Sequence, residues 1–162
     1  MNAGTAVGDF TDGMSTTVGF AEVKAFGAYL LGNVGLPANA PPPASPAALV
    51  AMGGSLKTQV THTGWTEGQT FQTGLTFVFP PNTTVPYASG GTTYDVDYVS
   101  SRDGSSAADR SYAAMTARSY HAGGAVDVLL MDGSVRPVKK TISPAAWRAA
   151  GTRNGGEVSS LD

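Results

Sequence analysis

Apolar and polar residues alternate along much of this chain in short runs that glycine and proline interrupt. In residues 16–24, Val18, Phe20 and Glu22 fall on one face and Thr17, Gly19, Ala21 and Val23 on the other. That period of two predicts a strand continuing toward Leu31. Runs rich in Thr, Val, Phe and Tyr predict further strands over 59–65, 70–79, 92–100, 113–119, 125–131 and 134–140. Two helical starts stand out. Ser45-Pro46-Ala47-Ala48 and Ser143-Pro144-Ala145-Ala146 each set a capping serine before a proline suited to the first helical position. Gly53-Gly54 stops the first helix, and Gly151 stops the second, which carries Trp147. The segment between Gly32 and Pro46, with Pro41-Pro42-Pro43, reads as a connector of polyproline II character. Residues 100–110 read as a polar loop, and the tail from Gly155 as frayed.

The strongest local signal is a hairpin. The run 125–131 carries Val126, Val128, Leu129, Leu130 and Met131, and Asp132-Gly133 separates it from 134–140. An Asp-Gly pair between such runs predicts a two-residue turn with both residues at positive φ. Val128 and Leu130 share one face, while Leu129, Met131 and Val135 share the other. A strand apolar on both faces belongs in the middle of its sheet. Pro137 has no N–H to give, so its strand belongs at an edge or carries a bulge.

These elements add up to an α+β fold, predominantly antiparallel sheet with two short helices. A length of 162 residues suits one domain, 1–162. Charged residues make up 14% of the chain, against an ordinary ~25%, so Ser, Thr, Asn and Gly must supply the surface polarity. The net charge is −2, and the largest basic group is Arg136, Lys139 and Lys140. That is too sparse a footprint for nucleic acid and reads as a solvated strand edge. The absence of cysteine excludes disulfides, thiolate metal sites and thiol nucleophiles. No apolar run reaches the length of a membrane span, so this fragment is expected to make no membrane contact.

Ser119-Tyr-His-Ala-Gly-Gly-Ala-Val-Asp-Val-Leu-Leu-Met-Asp-Gly-Ser-Val135 resembles the C-terminal signature of the prepilin-type His-x9-Asp-Gly family, a group expanded in planctomycetes and of unknown function. Asp12-Gly13-Met14-Ser15-Thr16-Thr17 with Phe20-Ala21-Glu22-Val23-Lys24, the segment His62-Thr-Gly-Trp65, and Phe79-Pro-Pro-Asn-Thr-Thr-Val-Pro-Tyr87 look like further family blocks. So does the tail, Trp147-Arg148-Ala149-Ala150-Gly151-Thr152-Arg153 with Gly155-Gly156-Glu157-Val158. The resemblance thus spans nearly the whole chain. It implies the pilin-like globular head of a type IV pilin or type II secretion pseudopilin, structural in role and without catalysis, located beyond the cytoplasmic membrane. Its implied partners are other pilin-like subunits or secretion and pilus components. The resemblance also implies that an N-terminal prepilin helix, missing here, anchors the full-length protein in the membrane. The motif residues are His121, Gly123, Gly124, Asp132, Gly133, Asp12, Gly13 and Trp147. Ten residues separate His121 from Asp132 where the family pattern has nine, which places an extra residue near Ala125 as a bulge or in a longer Gly-Gly loop. His121 is expected to anchor loop backbone or Asp132.

Other chemistry fits these residues less well. Ser100, Ser101 and Ser119 lack the Gly-x-Ser-x-Gly setting of an activated nucleophile, so no enzyme is expected. No cofactor is expected either. Calcium is the one metal considered, on Asp95 and Asp97, which share a strand face, and on Asp127, with Asp103, Asp109 and Asp132 as further acids. Asn82-Thr83-Thr84 has the form of a glycosylation acceptor and reads as plain loop. Trp65 and Trp147 are expected to pack in the core or on a sheet face. The alternative function is an extracytoplasmic module that binds a solute or polysaccharide, which an exposed row of Tyr87, Tyr94 and Tyr98 would favour.

Overall fold

The computed structural model describes residues 4–32, 40–103, 111–157 and 160–161. Most of the connector before Pro46, most of the loop before Arg110 together with Asp109, and parts of the tail lie outside the described residues. Among the described residues there are three short α-helices, α1 (Pro46–Ala51), α2 (Thr70–Thr73) and α3 (Pro144–Ala149). The described residues form eight strands: β1 (Val18–Ala21), β2 (Gly27–Leu31), β3 (Ser55–Thr61), β4 (Pro86–Ser89), β5 (Thr92–Val99), β6 (Ala113–Ala114), β7 (Ala125–Leu130) and β8 (Val135–Lys139). The fold is α+β and mostly antiparallel.

The strands form two sheets. One is ordered β1-β7-β8; the other is β3-β2-β5-β4, with β6 also on β5. Among the described strands, only β2 and β5 pair in parallel. The alternation around Val18 therefore does not run on as a single strand to Leu31. The chain leaves the first sheet after Ala21, and Phe26, at φ 59°, turns it into the second.

Sequence periodicity sorts residues into cores as it should. Val18, Val126, Val128, Leu130 and Val138 line the inner face of the three-stranded sheet and pack on Trp147 and Ala150 of the α3 segment. Leu30, Val96 and Tyr98 of the second sheet pack on Leu49 of α1 with Phe79 and Val85. Tyr29 and Val99 face the opposite way and meet Met115 and Phe71. The parallel pair is thus buried on both faces, as parallel strands require. Residues 114–118 are all buried and join the cores, with Ala114, Met115 and Ala117 each in a different cluster. This segment is stitched across by Thr76 N–H to the Met115 carbonyl (2.9 Å), Asn82 N–H to the Ala117 carbonyl (2.8 Å) and Arg118 N–H to the Glu22 carbonyl (3.0 Å).

Both capping serines act as their sequence suggests: Ser45 Oγ accepts from Ala48 N–H and Ser143 Oγ from Ala146 N–H, each at 3.1 Å. β7 is the middle strand of its sheet, and Pro137 lies on the edge strand β8 opposite Asp127. The turn between them differs from expectation. Gly133 N–H bonds the Leu130 carbonyl (3.0 Å) and Leu130 N–H the Ser134 carbonyl (2.9 Å), so the loop holds three residues. Only Gly133 has positive φ (88°), and Asp132 does not. This is a type I turn with a glycine bulge, and Asp132 Oδ1 fixes it by accepting from Ser134 N–H (2.9 Å) and Oγ (2.7 Å).

Three further expectations need correction. Residues 70–79 open with α2, whose Thr70 N–H and Oγ1 donate to Asp103 Oδ2 (2.6 and 2.7 Å), and contain no strand. β3 lies earlier than expected because His62, at φ 56°, breaks the extended run. β4 went unforeseen; it pairs with β5 through Gly90-Gly91.

Candidate functional site

Glu22 and Asp127 lie one step beyond the last paired residues of β1 and β7, where Ala21 faces Val128. Glu22 N–H donates to the Asp127 carbonyl at 3.1 Å, and Asp127 N–H donates to Glu22 Oε2 at 2.8 Å. Two carboxylates are thereby held side by side. Like charges so placed across a strand pair repel, and a cation between them relieves that. His121 supplies it. Its Nε2 sits 2.9 Å from Glu22 Oε1 and 3.8 Å from Asp127 Oδ2. The Glu22 hydrogen bond and charge raise the His121 pKa, and the Asp127 N–H holds Glu22 below the usual carboxylate range.

The ring is carried by a tight turn. Gly123 and Gly124 have φ of 90° and 71°, and Gly124 N–H returns to the His121 carbonyl at 3.3 Å. The base of the turn is closed by Ser119 Oγ donating to the Ala125 carbonyl and by Asn82, whose Oδ1 accepts from Ser119 N–H at 2.9 Å. Asn82 is therefore a brace of this site, and its positive φ (54°) is one that asparagine tolerates. Tyr120 stands in solvent beneath Lys24, whose Nζ lies 4.2 Å from the ring centre.

His121 does not meet Asp132. The whole length of β7 separates them, which at about 3.3 Å per residue is far beyond hydrogen-bond reach. Nor is the extra residue a bulge at Ala125. β7 and β8 pair in unbroken register from Ala125 to Leu129, and the irregularity lies on β1 between Val18 and Phe20.

Asp95 and Asp97 do not join Asp127 as a calcium set. Their oxygens hold Arg118, with Nε and Nη2 on Asp95 (3.1 and 3.2 Å) and Nη1 on Asp97 (2.5 Å). Asp97 also accepts Thr116 N–H (3.0 Å), and Asp95 accepts Val85 N–H (2.7 Å). Burial pushes the Asp97 carboxyl up, against the pull of the guanidinium. A cation is already built into this pair, and it is an arginine.

Asp12 and Gly13 do their work far from His121. Asp12 accepts Gly155 N–H (2.7 Å), Gly156 N–H (2.9 Å) and Thr152 Oγ1 (3.1 Å), tying the start of the chain to its end. The Gly13 carbonyl accepts the hydroxyls of Thr16 and Thr17. Trp147 is fully buried against Phe77, ring centres 4.6 Å apart.

A concave feature lies between β1 and the segment 62–77 that holds α2. It is a cleft of about 440 Å³ lined by Val18, Phe20, His62, Trp65, Gln72 and Phe77. Trp65 was expected to pack, yet it is 86% exposed, because the chain is in a turn there and not in a strand. His62 Nδ1–H donates to the Gln72 carbonyl (3.0 Å), leaving Nε2 buried without a partner. Burial lowers the pKa of this ring. Tyr98 is buried, and Tyr87 and Tyr94 pack half-buried against the same core, so the tyrosines form no exposed row.

The model of a protein family described as "Protein of unknown function (DUF1559)" matches residues 1–145. The chain belongs to this family. No curated protein matches it, and no solved structure does. The match takes in Glu22, His121 and Asp127, so the cluster of this DUF1559 chain lies inside the family region. Among the described residues, no helix is long and apolar enough to cross a membrane.

Proposed function

We propose that this chain is the exposed head of a prepilin-type envelope protein, lying beyond the cytoplasmic membrane, and that it works by contact with other subunits and not by catalysis. One observation carries the reading. On the outer face of the three-stranded sheet, Phe20, Leu129 and Val135 align across β1, β7 and β8, with Phe20 72% and Val135 64% exposed. Met131, beside them, is also exposed. A grouped apolar face on an antiparallel sheet is the kind of surface that proteins cover with a partner. The prepilin-like motif supports a second pilin-like subunit as that partner.

A second reading rests on the cleft. Its size falls in the ~300–1,000 Å³ range of small-ligand sites, and Trp65 and Phe20 flank it with the polar Gln72 inside. That arrangement suits the face of a sugar or another flat solute.

One pair of measurements separates the two. Sedimentation across concentrations should show self-association that Phe20→Ser and Val135→Lys weaken and Trp65→Ala leaves intact. A monomer at all concentrations up to about 1 mM, where binding is worth only ~4 kcal/mol, would sink the subunit reading. Oligosaccharides that change the fluorescence of Trp65, with Trp147 buried and unresponsive, would favour the binding module.

A further inference from the structure

We infer that Glu22, His121 and Asp127 form a binding site for a divalent transition-metal ion of the zinc or manganese class. One ligand atom from each residue lies within 4.8 Å of the other two, close enough for one ion to touch all three after small side-chain shifts. The ligand types are one imidazole and two carboxylates. An imidazole suits first-row transition metals, while calcium prefers six to eight oxygens. Three protein ligands with the remaining positions left to water is a common pattern for zinc.

The surrounding structure favours the ion. Glu22 is oriented by the Asp127 N–H on its Oε2, which leaves Oε1 facing the imidazole. Among the described residues, Asp127 Oδ2 has only the long 3.8 Å approach to His121. All three side chains are about half exposed, so an ion can enter and solvent can complete its shell. Without metal the His121 proton faces both carboxylates, and the ion would take that proton's place; the other nearby cations are engaged elsewhere. Lys24 lies over the Tyr120 ring, and Arg118 is turned into Asp95 and Asp97. The ion would cross-link β1, β7 and the Gly123-Gly124 turn, reinforcing the Glu22–Asp127 hydrogen bonds and the exposed His121–Glu22 ion pair that join them in its absence. This site adjoins the apolar face proposed above along β1 and β7 but shares none of its residues, so either proposal can fail alone.

The test uses the full chain stripped of metal by chelation. Titration calorimetry with zinc should give one site per chain and a raised melting temperature. His121→Gln and Asp127→Asn should each weaken binding at least ~10-fold. Manganese serves as a second probe, because the chain has only two histidines. It should broaden the ring resonances of His121 in the NMR spectrum more strongly than those of His62. That result depends on no variant folding correctly. No zinc binding overturns the proposal. So does binding that both substitutions leave unchanged, or broadening absent from His121.

Discussion

The two histidines show how far one residue type can diverge with its surroundings. His121 is exposed between carboxylates and its pKa is raised, while His62 is buried against a carbonyl and its pKa is lowered. For His62 the sign of the linkage follows directly. Below about pH 6.5 the unfolded chain binds a proton that the folded ring resists, so protonation favours unfolding. Stability should therefore fall as pH drops from about 6.5 through the lowered folded value. Denaturant melts of His121→Gln, in which His62 is the remaining histidine, should show that fall. Adding His62→Gln should flatten it. An equally steep fall in the double variant would place its origin elsewhere. In sequence, His62 gave no sign of this. Its burial comes from Gln72 and Phe71, brought beside it by α2, which the Thr-rich pattern of 70–79 disguised as strand.

At the scale of elements, sequence was most readable where a local chemical rule acts alone. Serine caps followed by proline marked α1 and α3 to within a residue. The hairpin was found, yet its turn type was not, because Asp-Gly serves both two-residue turns and glycine-bulged three-residue turns. Gly133 now has a specific cost attached. A Cβ added there would meet nothing within 4 Å, so the penalty of Gly133→Ala is one of backbone conformation at φ 88°. We expect a loss of about 1–2 kcal/mol, seen as a melting temperature lower by ~2–4 °C per kcal/mol in a chain of this size. Gly133→Asn should lose less, since asparagine tolerates this region. Equal losses from the two would point to a contact and not to φ. The failures at this scale were strands whose ends are set by positive-φ residues, Phe26 and His62, which no propensity announces.

The molecule as a whole is held by residues that join elements distant in sequence. Arg118 is 8% and Asp97 4% exposed, and their bond ties the 114–118 segment to β5. Removing the arginine leaves a buried carboxylate without its charge partner. Arg118→Ala should cost about 3–5 kcal/mol in urea unfolding, whereas replacing Arg118 and Asp97 together by apolar residues of similar volume should cost much less. Additive losses would show that the pair is not coupled. Asp12 plays a comparable joining role for the chain ends, through the Gly155 and Gly156 amides. Sequence picked out Asp12, Gly13, His121 and Asp132 as motif residues, and the structure separates them into three unrelated tasks.

Sequence by itself determined the class of fold, the two capped helices, the central place of β7 and the edge place of Pro137. Each of those follows from side-chain alternation, a capping hydroxyl or a missing N–H, and these act within a few residues. Tertiary structure alone decided the partners. Glu22 lies 99 residues from His121, and Asp97 lies 21 from Arg118. Both carboxylates were legible as acids, but which cation each would meet depended on the split of 16–31 into two sheets and on the path of 114–118 between them. Charges find partners through space, and no periodicity along the chain records that distance. The hairpin after His121 was correctly located from sequence, whereas the carboxylates around His121 could be identified only once β1 was laid against β7.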